Sequence, residues 1–481
     1  MPINSEHPEY KANVDKWKKC RTVIEGEDAV KAAGVTYLPL LNLDDNQDTV
    51  YKGYKDRACF YAATGRTAEG LVGLINRKKP TVSSEWPKSK EMFLERVTKN
   101  KIDFESFANK VTFEVMGTGR YGILLDTVEN APAGTLPYWA PYCAESIINW
   151  RTRINEKGEE VLTLLVLKEI TYVEDSEDPY VLKEQTQYRK LYIKDNVYIQ
   201  EMWKKNESAN AKTGEQFVLE GNQVIPKIAG KKMDFIPFVF FNSVDASSTI
   251  TKPPLLDIAN LNLSHYRNSA DLEHGRHYTG LPTPWAAGFD IKEGQSLTIG
   301  SSNAWVSDNP QATTGYLEFT GQGLQTLEKA LEHKEGQMAI LGARMLEAPK
   351  KAVEAEGTHK IRHSGEKSVL AVLATAVEAG FTNALRMTLL WAGEKDSKVM
   401  AEFNKDYSVF EITPDMLNAL MGMVQMGKMS FDTLFWNMKR GEIIPEERDV
   451  EDEIKLIEES PLRLTDGEDD LDDDLEDEDD V

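Results

Sequence analysis

The sequence predicts an α+β protein that carries a long two-helix hairpin, and three observations lead there. Between Tyr121 and Phe241, β-branched and aromatic residues alternate or run in short blocks, whereas the residues before Met116 space their apolar side chains as helices do. From Pro253 to Gly393 three amphipathic helical patterns follow, the first two separated by an insert rich in Gly and Pro. In the second pattern, Leu324, Leu327, Leu331, Met338, Leu341 and Met345 fall on steps of three and four interrupted only by Lys334. Such a seam faces another helix.

Taken in order, Tyr10, Val14, Trp17 and Cys20 predict a helix from Pro8 to about Ile24, broken by Gly26. Tyr54, Ala58, Tyr61, Thr64 and Leu71 predict a second over Tyr51–Arg77, stopped at Lys79-Pro80, and Asp103–Met116 is a third. Strands are expected at Tyr121–Val128, Glu160–Ile170, Gln187–Ile193 and Val197–Trp203, with a buried one at Ile236–Phe241. The hairpin opens at Pro253-Pro254 and its first helix runs from Leu255 to Thr279, before Gly280 and Pro282; each arm spans roughly 35 Å. In the insert, apolar runs at Ser296–Ile299 and Ala304–Val306 predict small strands between turns. Glu347–Lys360 reads as a charged loop, Ser364 with Glu366 as the start of a helix carrying Leu370, Leu373, Val377 and Phe381, and Ser408–Ile412 as a short strand. Three capped helices close the chain, opening at Thr413-Pro414, Ser430 and Asp449. A hairpin with an insert at its far end suits a spacer, a channel wall or a docking arm better than a pocket enzyme.

A chain of 481 residues is long enough for two to four domains. No run approaches the roughly 18 apolar residues that span a bilayer, and Met1–Tyr10 lacks the basic and apolar regions of a signal peptide, so synthesis in the cytosol is expected. Cys20, Cys59 and Cys143, an odd number without paired spacing, argue against a disulfide framework or structural zinc and predict buried free thiols. Asp466–Val481 holds twelve acids and no base; removing them from the net charge of −23 leaves −11 on the rest. That tail is expected to be disordered in isolation. An acidic chain is a poor candidate for tight, sequence-reading contact with nucleic acid, yet suits a surface past which DNA slides.

Motifs for chemistry are present only as imitations. Gly117-Thr-Gly119-Arg-Tyr-Gly122 matches GxGxxG, with Glu145 near the distance of a ribose partner, but it runs from helix into strand and so predicts a helix stop. Gly422 to Met429 mimics a P-loop with Met429 where the magnesium-binding hydroxyl belongs, and predicts a Met-rich helix ending at Gly427. His274 and His277, beside Asp271 and Glu273, form at most a weak metal set; a polar helix face explains them more simply. No GxSxG elbow is present. No cofactor, metal or catalytic residue is expected.

Read in order, several short motifs resemble the portal proteins of tailed double-stranded DNA bacteriophages, most closely a portal-like family long filed as a domain of unknown function. They are Tyr37-Leu-Pro39, Tyr54 to Thr67 continuing to Ile75 and Lys79-Pro80, Gly119 to Asp126, Ile148-Asn149-Trp150, Ile236-Pro-Phe238, Pro253 to Ala259, Asn262 to Arg267 and Asp271 to Pro282. The likeness covers roughly Pro8–Glu459; the acidic tail lies outside it.

The resemblance implies a portal-like protomer: an α/β wing over 1–252, stem helices at 253–280 and 323–346, a small β-containing clip at 281–322, a channel loop at 347–360, a wing helix and return strand at 361–412, a helical crown at 413–460 and the acidic tail at 461–481. It implies a dodecameric ring at one capsid vertex of the virion, assembled in the host cytoplasm, that is a non-enzymatic conduit for packaging and ejecting double-stranded DNA. Lys350 and Lys351 in the loop, with Lys329, Lys334 and Arg344 on the second stem helix, become candidates for weak, non-sequence-specific phosphate contact. Trp285, Phe289 and Trp305 become candidate clip anchors for the terminase large subunit and then head-completion or tail adaptor proteins; they serve equally as the clip's own core. Major capsid and scaffold proteins complete the implied partners, and no membrane is among them. Alternatives remain: another phage structural or scaffold protein built on a helical hairpin, or an enzyme using Gly117–Gly122 for a nucleotide.

Overall fold

A computed structural model describes residues 2–40, 47–128, 132, 135–175, 178–206, 217–228, 230–280, 283–289, 297–298, 304–317, 322–346, 368–394, 397–405, 407, 414–441, 443–445 and 448–459. The chain is α+β and divides into two compact units, Met1–Asp406 and Tyr407–Val481.

The first unit opens with α1 (Pro8–Glu25), whose first turn takes Pro8 and whose end is set by Gly26, followed by α2 (Glu27–Ala32). The continuous helix expected over Tyr51–Arg77 is instead α3 (Gln47–Arg57) and α4 (Ala63–Ile75). The break has a tertiary cause. Ala58 and Phe60 are drawn into a core with Leu263 and Tyr266, and Asn262, wholly buried, takes the Thr64 N–H and hydroxyl at 3.2 and 2.8 Å while donating to the Tyr61 carbonyl at 2.7 Å. A distant side chain thus satisfies backbone groups that a continuous helix would have paired locally.

β1 (Thr81–Val82), α5 (Glu91–Leu94) and α6 (Phe104–Thr118) follow, the last capped by Asp103, which accepts the Ser106 N–H at 2.8 Å. β2 (Arg120–Asp126) and β3 (Tyr138–Cys143) come next, then β4 (Ile147–Ile154), β5 (Glu160–Glu174), β6 (Leu182–Lys194), β7 (Val197–Lys205) and β8 (Phe217–Val224). These last five form one antiparallel sheet in the order β4-β5-β6-β7-β8. A small hairpin, β9 (Lys227–Ile228) with β10 (Lys231–Lys232), leads to β11 (Phe238–Asn242), which completes the sheet β11-β2-β3. β3, β4 and β8 were not predicted, because Pro141, the charged end of β4 and Gly221 with Asn222 dilute the strand pattern.

α7 (Leu256–Thr279), β12 (Thr283–Ala287), β13 (Thr313–Leu317) and α8 (Gln322–Arg344) form the hairpin and its head. The head strands, near the two ends of the insert, pair with each other; they do not lie at 296–299 or 304–306 as expected, where residues 297–298 and 304–306 have no regular structure and 296 and 299 lie outside the described residues. α9 (Val369–Trp391) is capped by Ser368, whose hydroxyl accepts the Ala371 N–H, rather than at Ser364, which lies outside the described residues. By length and composition α9 could cross a membrane, contrary to the expectation that no segment approaches that; the Leu370, Leu373, Val377, Phe381 and Leu385 side chains are buried in the body. Phe381 is the hub of that core, with ring centroids 5.1 to 6.2 Å from Phe241, Phe104, Trp139, Phe403 and Phe107, and the Trp139 indole donates to Thr388 at 3.0 Å. β14 (Ala401–Glu402) pairs with β1; the strand expected at Ser408–Ile412 lies outside the described residues.

The second unit holds α10 (Pro414–Gln425), α11 (Phe431–Arg440) and α12 (Val450–Glu459). Ser430 and Asp449 cap the latter two as predicted, accepting the Thr433 and Asp452 N–H groups. The acidic tail lies outside the described residues. Of the cysteines, Cys20 is buried, but Cys143 is half-buried and Cys59 exposed, correcting the expectation that all three are buried; Cys59 sits in the α3–α4 break, where the chain turns outward.

Candidate stem hairpin and docking head

α7 and α8 contain 24 and 23 residues, and roughly 35 Å each follows from the helical rise. Four contacts fix their antiparallel register. Near the middle, the His265 ring Nε2 lies 3.1 Å from the Glu335 carboxylate and the Lys334 ammonium donates to the Ser264 carbonyl at 3.0 Å. Nearer the head, Arg276 donates to Glu328 at 2.7 Å and also to Glu273 at 2.8 Å. There too, Gly275 lies under Leu324: a Cβ would stand 2.5 Å from the Leu324 Cδ2, so that side chain would have to turn aside. The absent side chain allows the close approach that the leucine seam requires.

Burial along the hairpin is graded. In α7 it stops at Leu272; among the described residues of α8 only Met338 is buried, and Met345 is buried just past its end. Leu324, Leu327, Leu331 and Leu341 are half-buried, and Ile340 is exposed. One end is therefore rooted in the body, where Gly342 faces Thr67 of α4, and the other carries the head outward. A second apolar surface is needed to finish covering the α8 seam.

The predicted residues fall in different environments. Lys329 and Arg344 are exposed on α8. Lys334 is half-buried and turned onto α7, and desolvation, with Arg267 nearby, holds its ammonium below the usual lysine range. Lys350 and Lys351 lie outside the described residues. In the head, Trp285 sits opposite Gly315 across the β12–β13 ladder, 43% exposed, with its ring over the glycine. Phe289 is half-buried, and Trp305 is half-buried with its indole N–H on the Thr298 carbonyl at 2.8 Å. Gly275, His265, Arg276, Glu328 and Glu335 were not singled out from sequence as register contacts. Their partners are 49 to 70 residues away, beyond any local spacing rule.

The motif imitations resolve into architecture. Gly119, at φ +70°, is the left-handed cap of α6, and its N–H returns to the Val115 carbonyl at 2.8 Å before β2 begins. A Cβ on Gly122 would meet the Phe238 ring, so the missing side chain serves the packing of β11 on β2, and Glu145 is held by Arg21 at 2.9 Å. Gly427, at φ +66°, follows α10 as predicted. His274 faces Arg57 at 3.2 Å and packs edgewise on Tyr54 and Tyr278; its pKa is lowered by burial, then by Arg57 and His277. Among the described residues, no group of three or more His, Cys, Asp or Glu is placed to hold a metal.

A family model described as "Domain of unknown function (DUF4055)" matches residues 254–392, a range that includes the hairpin, its head and α9. No curated protein matches the chain. Among solved structures, the chain is similar to a component of the virion of a native gene transfer agent particle, at 11% identity and a TM-score of 0.38, covering 80% of this chain and 92% of that one. It is also similar to components of the neck of the native particle (10% identity, TM-score 0.36, 77% and 88% covered) and of the empty particle (10%, 0.38, 78% and 88%). Scores of this size do not establish a common fold.

Proposed function

We propose that the chain is the portal protomer of a tailed, double-stranded DNA phage or phage-like particle, a structural component of the virion that assembles as a dodecameric ring. The observation that carries this reading is the α7–α8 hairpin. It is rooted in an α+β body, locked in antiparallel register, topped by a two-stranded head, and left with a half-covered apolar seam. Hairpins packed side by side around an axis cover that seam and enclose a tube. The ordered motifs from Tyr37 to Pro282 point the same way.

In this reading α7 and α8 are the stem, β12–β13 and the intervening insert the clip, and residues 347–360 the channel loop. Lys329 and Arg344, exposed on α8, and Lys350 and Lys351 in the loop make a small number of phosphate contacts. Contact must stay sparse, because each neutralised phosphate adds counterion-release affinity that would hold the DNA in place. Lys334 acts instead within the protomer, tying the two stem helices together. The clip docks the terminase large subunit during packaging and head-completion or tail adaptor proteins afterwards, with Trp285 as its exposed anchor; ATP hydrolysis belongs to the terminase.

The test is nuclease protection in heads assembled with the wild-type chain and with Lys350→Glu/Lys351→Glu. The reading expects rings of unchanged mass and altered packaging or retention of DNA. Heads that package and retain DNA normally when the protein is withheld would refute it.

A further inference from the structure

The five-stranded sheet carries an arm that its own fold does not use. β4 accompanies β5 only as far as Leu167, and β7 accompanies β6 only from Gln187 onward. Among the described residues, β5 and β6 continue alone beyond the Ile170↔Thr186 pair for four more ladder pairs, to Glu174↔Leu182, a ribbon roughly 14 Å long. Its surface is apolar and acidic. Ile170, Tyr172 and Leu182 occupy one face, all exposed, and Glu174 and Glu184 share that face. Near the tip, the Tyr180 N–H donates to the Asp178 carboxylate at 2.9 Å, the Asp175 N–H to the Val181 carbonyl at 2.9 Å, and Asp175 pairs with Lys183. That arrangement presents the Tyr180 ring 94% exposed.

The opposite end of the same sheet has the complementary character. β8 is an edge strand with nearly every residue exposed, including Val224, and beside it lie exposed Ile225 and the exposed lysines Lys227, Lys231 and Lys232 of the β9–β10 hairpin. Val224 pairs with Gln200, and the Met233 carbonyl accepts the Tyr198 N–H at 2.8 Å, so this basic edge lies where β7 begins. The arm leaves the sheet beyond the other end of β7, at Lys204↔Gln187. Within one chain the two surfaces point apart along a rigid ladder.

We infer that the acidic, apolar arm of one copy seats on the basic β8–β10 edge of the next, a head-to-tail contact between copies of this chain. Charge complementarity selects a second copy as the occupant, and exposed apolar residues on both surfaces supply the burial. A heterologous contact of this kind closes into a ring when its rotation permits and runs into open filaments when it does not. The inference refines the ring proposed above by naming a wing contact independent of the stem.

The experiment replaces Tyr180 with a benzophenone amino acid in the full-length chain, mixes unlabelled and 15N-labelled copies, irradiates, and maps the crosslinks by mass spectrometry alongside particle mass. Crosslinks from position 180 to residues 217–232 of a differently labelled copy are expected. Lys227→Glu/Lys231→Glu/Lys232→Glu should lower their yield by at least about tenfold, and adding Glu174→Lys/Glu184→Lys should restore it. Rings whose crosslinks fall elsewhere, or that give none, overturn the inference and leave the ring intact. Open filaments with the expected crosslink uphold the contact and refute the ring, whereas monomers without crosslinks overturn both.

Discussion

Asn262→Leu tests how the stem is anchored. Asn262 and Thr64 are both fully buried, and the amide engages the Thr64 N–H at 3.2 Å, the Thr64 hydroxyl at 2.8 Å and the Tyr61 carbonyl at 2.7 Å. Leucine preserves volume and removes all three bonds. The hydroxyl can rotate toward another acceptor and the Tyr61 carbonyl keeps the Ala63 N–H at 2.7 Å, but the Thr64 N–H loses its partner and cannot leave its site. The unsatisfied buried N–H costs about 1–3 kcal/mol and the lost bond to the Tyr61 carbonyl about 1 kcal/mol, while the added apolar burial offsets about 1 kcal/mol, so a net loss of about 2 kcal/mol is expected. Urea denaturation followed by fluorescence would measure it, and native-state hydrogen exchange should show lost protection concentrated at residues 63–67. A Thr64→Val/Asn262→Leu cycle should return a coupling of about 1 kcal/mol. A loss below about 1 kcal/mol with unchanged exchange at the start of α4 would refute the claim that this side chain makes the α3–α4 break and seats α7.

Arg21 bridges Glu114 at 2.8 Å and Glu145 at 2.9 Å; burial pushes the Glu145 carboxyl up, but its hydrogen bonds and charge contact with Arg21 hold it below the usual range. A carboxylate depressed in the fold contributes stability above its unfolded pKa of about 4.3, lost as pH falls through the folded value. Arg21→Met, measured by denaturation from pH 7 to pH 3, should therefore cost about 3 kcal/mol at neutral pH and progressively less under acid. Arg120, 1% exposed, donates to the Ser248 carbonyl at 2.8 Å and lies 4.2 Å from the Trp150 ring, with Nε and Nη2 lacking protein partners. Arg120→Met should stay within about 1 kcal/mol of wild type, whereas Arg120→Ala, which opens a cavity, should lose about 3 kcal/mol in the same assay. Gly275→Val should splay the stem against Leu324, costing about 1–3 kcal/mol and reducing assembly by native mass spectrometry while the far-ultraviolet spectrum stays wild-type.

The sequence made legible what periodicity and punctuation encode. The hairpin helices, α6, five strands of the first unit and the caps at Ser430 and Asp449 follow from local spacing. Failures occur where distant contacts override local preference: Asn262 splits one helical pattern into α3 and α4, and the insert's strands form from its flanks because Trp285 can cover Gly315 there. Of the hairpin, the leucine seam was readable, but the register contacts of His265, Lys334 and Arg276 were not. Nor was the free arm: alternation predicts that β5 and β6 are strands, not that β4 and β7 stop short of them.

The central claim is that these hairpins assemble around a common axis, and negative-stain electron microscopy of the purified chain tests it most directly. The account predicts class averages of rings with a central hole and, in side view, a narrower stem projecting from a wider body. Monodisperse monomers or dimers, unchanged across protein concentration and salt, would contradict it.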